Sequence, residues 1–358
     1  MSYKKIGFDA GLLSLRGTHI AIFDYAVNNQ KILGNESIIF YDRRSEQAQP
    51  SVFQKFNQEF QLVPYENFAD LYKHTYHNLI DAMYLIKSGE RDGYMLPGVP
   101  NLIHAVFPQK IQEMHGDIYA FVSKWLSDEC SGGKIPFVSH MINLPDALGS
   151  LREHLGISQS ATVFGCYGGA DSFNLRFVQE TIATIVQENS QTYFLFMNID
   201  AFIDHPQVIF LPGNSDPTFK SNFINTSDAM IHARGIGESF GIACGEFSAH
   251  NKPVITYSLS PQRNHIEVLG EKAILYKGPK DLKKILLNFD REWAVKQNWD
   301  SYSSTFSPAA VMQQFSSTFL DSDSLRRSEV QIGAIDQAII HGKHFRKKVR
   351  SLSRKIYL

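Results

Sequence analysis

Two α/β domains, each a doubly wound parallel sheet, are what this sequence predicts. Short apolar runs alternate with longer amphipathic stretches along most of the chain, the pattern of strands separated by helices. At 358 residues the chain suits two domains of ordinary size. The alternation also begins afresh after residue 145, with a new apolar strand at Ala161-Thr162-Val163-Phe164-Gly165.

The first domain, residues 1–145, opens on a strand from Lys5 to Asp9. A glycine-bounded loop, Gly11 to Gly17, leads into a helix from about Thr18 to Asn29. Glu36 to Asp42 is the next strand. Phe68 to Ser88 reads as one helix, with Phe68, Leu71, Leu79, Ala82, Met83 and Ile86 broadly on one side. Short strands follow at Gly93 to Leu96, Leu102 to Val106, Ile118 to Val122 and Ile135 to Val138. In the second domain, 146–305, Pro145 to Gly156 reads as a helical lead-in to the strand Ala161–Gly165. The loop Cys166-Tyr167-Gly168-Gly169-Ala170-Asp171-Ser172-Phe173-Asn174 and a helix from about Leu175 to Glu188 come next. Tyr193 to Met197, Val208 to Leu211, Ala229 to His232 and Val254 to Tyr257 are further strands. In such sheets ligands bind outside the carboxyl ends of the strands.

Composition narrows the function classes. Thirty-five basic residues face 36 acidic ones, for a net charge of −1, so nothing global points to nucleic acid. Cys130, Cys166 and Cys244 lack CxxC spacing, which predicts reduced thiols in a cytosolic compartment and neither a disulfide framework nor a zinc site. The start, MSYKKIGFDAGLL, lacks the apolar core of a signal peptide, and no stretch approaches membrane-spanning length. GxGxxG is absent, which disfavours an NAD-linked oxidoreductase. Asp321-Ser322-Asp323 reads as a solvated turn in a linker, not a metal site.

The segment Asp228 to Thr256, DAMIHARGIGESFGIACGEFSAHNKPVIT, carries the chemistry. Glu238 and Glu246 lie eight positions apart, about 80° apart around a helix at 100° per residue. Ser239-Phe240-Gly241 reads as the helix start, so Glu238 projects from the N-terminus while Glu246 lies on the body. Backbone N–H groups at such a start suit a phosphate.

This segment resembles the C-terminal half of retaining glycosyltransferases with the GT-B fold, family 4 in particular. Their pattern is Glu, seven residues, Glu, with Phe-Gly after the first Glu and a Lys-Pro-Val-Ile strand after the helix. Here these are Glu238, Phe240-Gly241, Glu246 and Lys252-Pro253-Val254-Ile255. The resemblance implies two Rossmann-like domains facing across a cleft, the first on the acceptor side and the second on the donor side. It implies sugar transfer from a nucleotide sugar, of unspecified base, to a glycan or lipid-linked acceptor with retention, needing no cofactor and no metal. Glu238 is implied to contact the donor sugar and Glu246 the ribose hydroxyls, with backbone N–H groups of Ser239, Phe240 and Gly241 toward phosphate or sugar. The loop between Leu211 and Lys220 is implied to border the base.

The first-domain His104, at a strand end, corresponds to a family histidine facing the transferred sugar. A hydrogen-bonded structural histidine is the alternative. His115 and His140 are weaker candidates. Gly11 and Gly17 bound a loop that either approaches the donor or is a plain turn.

One departure stands out. The family's Gly-Arg after the first donor-domain strand, and its following Lys, hold the diphosphate. Here Cys166 follows Phe164-Gly165, and the Lys position falls near Asp171 or Ser172. Arg234 or Arg176 is expected to supply the charge, or the turn at Tyr167, Gly168 and Gly169 to supply N–H donors. Arg234 is favoured because it lies inside the signature. A nucleotide-sugar epimerase, a phosphorylase or a non-catalytic sugar-binding protein are the competing readings.

Phe306 to Phe319 resembles the helix that, in GT-B folds, returns from the second domain to the first, and a linker follows from 321. Residues 341–358, HGKHFRKKVRSLSRKIYL, place Phe345, Val349, Leu352 and Ile356 at helical spacing among Lys and Arg. That is a basic amphipathic helix suited to an anionic membrane surface, and it predicts a peripheral association with the cytoplasmic membrane face. A partner-binding or solvated tail is the alternative.

Overall fold

The computed structural model describes residues 3–15 and 17–321. The chain forms two units. One runs to Met141 and takes up the chain again at Phe306; the other is Ile142–Thr305. The change of unit comes slightly ahead of the boundary expected at 145.

The first unit holds a six-stranded parallel sheet. Its strands are β1 (Lys5–Gly11), β2 (Glu36–Asp42), β3 (Gln61–Tyr65), β4 (Ala82–Lys87), β5 (Asn101–Ala105) and β6 (Ile118–Phe121), ordered β3-β2-β1-β4-β5-β6. Helices α1 (Gly17–Lys31), α2 (Ser45–Ala48), α3 (Pro50–Glu59), α4 (Phe68–Asn78) and α5 (Lys124–Ser131) accompany it. Strand order reverses between β1 and β4, so the loops after these strands diverge and leave a crevice there.

Several elements differ from expectation. The stretch 68–88 is not one helix: α4 stops at Asn78, Leu79 takes φ +50, and Ala82–Lys87 is a strand between β1 and β5. Its run 82–85 is buried on both faces, and spacing over so short a run does not separate helix from strand. Gly93–Leu96 is a loop, and Ile135–Val138 contributes only a bridge from Phe137 to Phe121. The pair α3 and β3 went unread. Proline opens α3 at its first turn, where its missing N–H costs nothing.

The segment from Phe306 closes the core of this unit. Ser307 caps α12 (Pro308–Phe315), which runs on into a wider turn at Ser316–Leu320. Phe315 stacks on Tyr25 at 5.3 Å, and Phe319 meets Tyr84 and His104, each at 5.7 Å.

The second unit repeats the plan. Its strands are β7 (Thr162–Tyr167), β8 (Thr192–Met197), β9 (Val208–Leu211), β10 (Ala229–His232), β12 (Val254–Tyr257) and β14 (Ala273–Tyr276), in the order β14-β12-β10-β7-β8-β9. The reversal lies between β7 and β10. A separate two-residue pair joins β11 (Gly237–Glu238) to β13 (Gln262–Arg263). Helices α6 (Arg176–Glu188), α7 (Pro217–Thr226), α8 (Ile242–Ala249), α9 (Asn264–Leu269), α10 (Pro279–Leu287) and α11 (Arg291–Val295) complete it. Phe164, Phe194 and Phe196 are fully buried in its core.

The helical lead-in expected at 145–156 is absent. That stretch is turns, fastened by Arg152, whose guanidinium donates to the carbonyls of Ser158, Ala161 and Thr226 and to the Asp228 carboxylate. Carbonyls and a carboxylate satisfy the buried cation where a helix would have satisfied its own backbone. No described helix is long and apolar enough to cross a membrane. The basic stretch 341–358 lies outside the described residues.

Candidate functional site

The carboxyl edge of the second sheet assembles the signature. The chain leaves β10 at His232, runs through Ala233, Arg234, Gly235 and Ile236, and pairs Gly237–Glu238 with Gln262–Arg263 before α8 begins. This loop flanks the strand-order reversal. The loop after β7 flanks it from the other side, and the two are tied together. Asn174 and Leu175 donate their N–H groups to the Ala233 carbonyl at 3.1 and 3.2 Å, and Gly235 N–H donates to Asn174 Oδ1 at 2.8 Å.

Two glycines fix the path on either side of Glu238. Gly237 has φ +76, and a Cβ there would stand 2.0 Å from the Gln262 carbonyl oxygen. Gly241 has φ +93, and a Cβ would lie 3.0 Å from the His265 Cβ and 3.2 Å from the Glu238 Cβ. Both positions demand residues without a side chain. Gly241 is the N-cap of α8, whose first helical hydrogen bond runs from Gly245 N–H to the Gly241 carbonyl at 3.0 Å. The N–H groups of Ile242 and Ala243 precede it and have no acceptor within the helix.

Glu238 is held by two donors. Arg234 Nη1 donates to Oε2 at 2.8 Å, and His232 Nε2 lies 3.2 Å from Oε1. Burial pushes the Glu238 carboxyl up. The bond from His232 and the Arg234 charge outweigh that and hold it below the usual carboxylate range. Its side chain is 20% exposed and that of Arg234 31% exposed. A partly exposed anion and a partly exposed cation thus share the edge where ligands of such sheets bind. Ser239, next along, is half-buried.

Other predicted residues are placed elsewhere. Glu246 faces inward: its side chain is 5% exposed, Lys220 Nζ donates to Oε1 at 2.7 Å, and the Tyr167 hydroxyl donates to Oε2 at 2.5 Å. The carboxylate expected to meet the ribose here forms a buried ion pair, because α7 brings a lysine against this face of α8. Cys166 and Tyr167 are not in the loop after β7 but are its last two residues, both buried. Burial raises the thiol pKa of Cys166, as it does for thiols in apolar surroundings. Gly168 begins the turn, and its carbonyl accepts from Asn198 Nδ2 at 2.6 Å. Phe240 is buried against Tyr302, with its carbonyl accepting from Asn264. Arg176 pairs with Glu180 on the exposed face of α6. The loop after β9 is shorter than expected, because Asp216 caps α7 by accepting from Thr218 N–H and Pro217 starts the helix.

In the first unit His104 lies inside the core. It is fully buried, its Nδ1 lies 2.5 Å from the Tyr84 hydroxyl and its Nε2 2.7 Å from the Val138 carbonyl. Burial lowers its pKa to about 4, so the ring is neutral and both nitrogens are engaged. His140 is buried beside it. Gly11 ends β1, and Gly17 opens α1 at the surface.

The carboxyl edge of this sheet holds a cluster the sequence did not reveal. Asp9 Oδ1 accepts from the Tyr65 hydroxyl (2.8 Å) and Gly11 N–H (3.0 Å), and Oδ2 accepts from the Tyr94 hydroxyl (2.8 Å). Lys87 donates to the Tyr94 carbonyl at 3.0 Å and pairs with Asp92, and its Nζ lies 3.1 Å from His115 Nε2. Burial raises the Asp9 pKa against these donors. Asp9, Tyr65 and Tyr94 are up to 85 positions apart in the chain, so no local motif announces them. Lys220, 26 positions from Glu246, was missed for the same reason, whereas His232 lies six positions from Glu238 and its part appears only when the fold turns its ring toward the carboxylate. No group of three or more metal-liganding side chains occurs among the described residues.

No family model matches the chain, and no curated protein sequence does. The fold is similar to solved structures. Anabaena Alr3699/HepE in complex with UDP-glucose aligns with a TM-score of 0.67 at 12% identity, over 88% of this chain and 99% of that one. A glycosyltransferase from Rickettsia africae ESF-5 aligns with a TM-score of 0.61 at 12% identity, over 98% and 99%. The S. aureus MnaA–UDP structure aligns with a TM-score of 0.61 at 12% identity, over 92% and 100%. Identities this low speak to architecture, which is that of the GT-B fold: two Rossmann-like units, each with a parallel six-stranded sheet.

Proposed function

We propose that the protein is a retaining glycosyltransferase of the family-4 type, moving a sugar from a nucleotide sugar to a glycan or lipid-linked acceptor. The observation that carries the reading is Glu238. This ionised, partly exposed carboxylate is fixed by Arg234 and His232 between two obligatory glycines at the carboxyl edge of the sheet. Solved structures of similar fold hold UDP or UDP-glucose, which supports a nucleotide-sugar donor.

In this reading Glu238 accepts hydrogen bonds from hydroxyls of the donor sugar and orients its anomeric carbon. Arg234 and the N–H groups at the start of α8 face the diphosphate, whose developing charge they stabilise as the glycosidic bond breaks. These positive groups take the part a divalent ion plays in other transferases, so the proposal is metal-independent. The acceptor hydroxyl attacks from the leaving-group side, passes its proton to the departing phosphate, and the configuration is retained. We place the reaction at the cytoplasmic membrane face, with the basic stretch 341–358 meeting anionic lipid.

The test is thermal stabilisation by UDP-, GDP-, ADP- and dTDP-sugars, for wild type and Glu238→Gln, followed by product analysis with the donor that binds. Saturation at 100 times the dissociation constant adds about 2.7 kcal/mol. A shift with one nucleotide family and an α-configured product from an α-configured donor are expected. No shift with any donor overturns the proposal. The inward turn of Cys166 and Glu246 favours one second reading, a fold that binds the donor without transferring its sugar. Binding with no turnover is its signature.

A further inference from the structure

Behind Glu238 lies a buried relay of three side chains that no local motif marks. His232 is the last residue of β10 and Thr256 its direct partner in β12. Their side chains therefore stand side by side on one face of the sheet. His232 Nδ1 is 2.8 Å from Thr256 Oγ1, and Thr256 Oγ1 is 2.9 Å from Nε2 of His265 on α9. The two imidazoles pack with centroids 4.7 Å apart. Thr256 and His265 are fully buried, and His232 is 4% exposed.

With the His232 ring neutral, hydrogen-bond capacity gives this relay one direction. An ionised carboxylate only accepts, so His232 Nε2, facing Glu238 Oε1, carries a hydrogen. In a neutral ring Nδ1 is then bare and must accept. Among the described residues the hydrogen-bond partner of Nδ1 is the Thr256 hydroxyl, which has one hydrogen to give. With that hydrogen spent, Thr256 Oγ1 accepts from His265 Nε2–H. The order is therefore His265 to Thr256 to His232 to Glu238, each donating to the next.

We infer that His232 is a positioning residue for Glu238, presenting its Nε2–H to the carboxylate while the Thr256 hydroxyl and, behind it, His265 hold its Nδ1. Arg234 and His232 thus divide the two carboxylate oxygens between a partly exposed cation and a buried donor. The buried donor sets the rotamer that Glu238 presents to a ligand. A relay of this kind orients the side chain from beneath. The catalytic part of the inference rests on the proposed transferase reading. The protonation pattern does not, and it is read without any donor.

The experiment has two arms. Nitrogen NMR of the ligand-free protein, labelled in histidine, reads the His232 tautomer at neutral pH. The expected result is a neutral ring protonated on Nε2 in wild type and a mixture of tautomers in Thr256→Val. An Nδ1–H ring or an imidazolium in wild type overturns the inference, as does a Thr256→Val ring unchanged from wild type. The second arm uses the donor identified by thermal stabilisation. His232→Phe, which keeps a ring but no donor, and Thr256→Val are expected to lower kcat about tenfold, the effect of losing one charge-assisted hydrogen bond. Their donor KM should change less than about twofold. His232→Gln, whose amide reaches the Nε2 position, and Thr256→Ser are expected to recover most of kcat. Full activity in His232→Phe, or no recovery in folded His232→Gln, removes the positioning role. If no donor turns over at all, the transferase reading fails while the first arm still decides the relay.

Discussion

Lys220 and Glu246 form an ion pair of 2.7 Å inside the second unit, with side chains only 7% and 5% exposed. The Lys220 ammonium also lies 5.1 Å from the centre of the Tyr167 ring, and the Tyr167 hydroxyl donates to the same carboxylate. The second acidic residue of the signature is therefore spent on holding α7 and α8 together.

Breaking this pair from one side strands a buried charge. Lys220→Met is expected to cost about 3–5 kcal/mol, read as a lower urea midpoint. Lys220→Met with Glu246→Gln should cost less than the sum of the single changes, because neither charge is left alone. Equal additive losses would show that the two side chains do not interact.

Glu238→Gln keeps the shape of the side chain and removes its charge. Donor-dependent turnover is expected to fall by about 10²-fold or more. The fold should persist, since the side chain sits at a partly exposed edge. Far-ultraviolet circular dichroism and a thermal melt check the second point, and a product assay the first. Wild-type turnover in Glu238→Gln would dismiss the assignment.

His104 makes stability depend on pH. Its pKa is lowered from 6.5 to about 4 in the folded protein, so the ring stays neutral there while the unfolded chain takes up a proton below 6.5. Stability is complete above pH 6.5 and is lost as the pH falls from 6.5 toward 4, by about 3 kcal/mol at 1.36 kcal/mol per pH unit. Burial lowers the pKa of His140 and His265 as well, and both act in the same direction. Urea unfolding at pH 7 and pH 5 should show the loss, and His104→Phe should make it smaller. The same substitution should lower stability at pH 7 by about 1–3 kcal/mol, since Tyr84 and the Val138 carbonyl lose their partner.

Gly237→Ala puts a methyl group against the Gln262 carbonyl at a backbone angle that L-residues avoid. It should cost about 1–3 kcal/mol and displace Glu238, lowering turnover more than Ala at the exposed Gly17 does. A Gly237→Ala protein with wild-type melting temperature and activity would show that the β11–β13 pair does not set the site.

Removal of residues 341–358 is expected to weaken binding to anionic vesicles, with the difference shrinking as salt rises. Flotation with phosphatidylserine vesicles measures it. Equal binding by the shortened chain would end the membrane proposal.

Most of the second sheet was legible. Val208–Leu211, Ala229–His232 and Val254–Tyr257 match the expected strands residue for residue, because each is a short apolar run between turn residues. The helix start at Gly241 was legible too, since the glycine that a left-handed N-cap needs stands in the sequence. The stretch 68–88 was misread because its apolar residues fit a helix face. Only pairing with β1 and β5 made the last third a strand. Pro145–Gly156 failed differently. Arg152 found carbonyl and carboxylate partners as far away as Thr226 and Asp228, and those outweigh a local helical preference.

By itself, then, the sequence determined the alternation of strands and helices, the two-unit plan and the glycine-bracketed turn that carries Glu238. Those depend on short-range periodicity and on backbone angles only glycine adopts freely. The tertiary structure alone decided which of two similar carboxylates faces solvent. Glu238 and Glu246 differ little as residues. One emerges at a sheet edge beside Arg234, and the other meets Lys220 from a separate helix. Burial and charge pairing are properties of chain segments brought together by folding, and spacing along one helix contains no record of them.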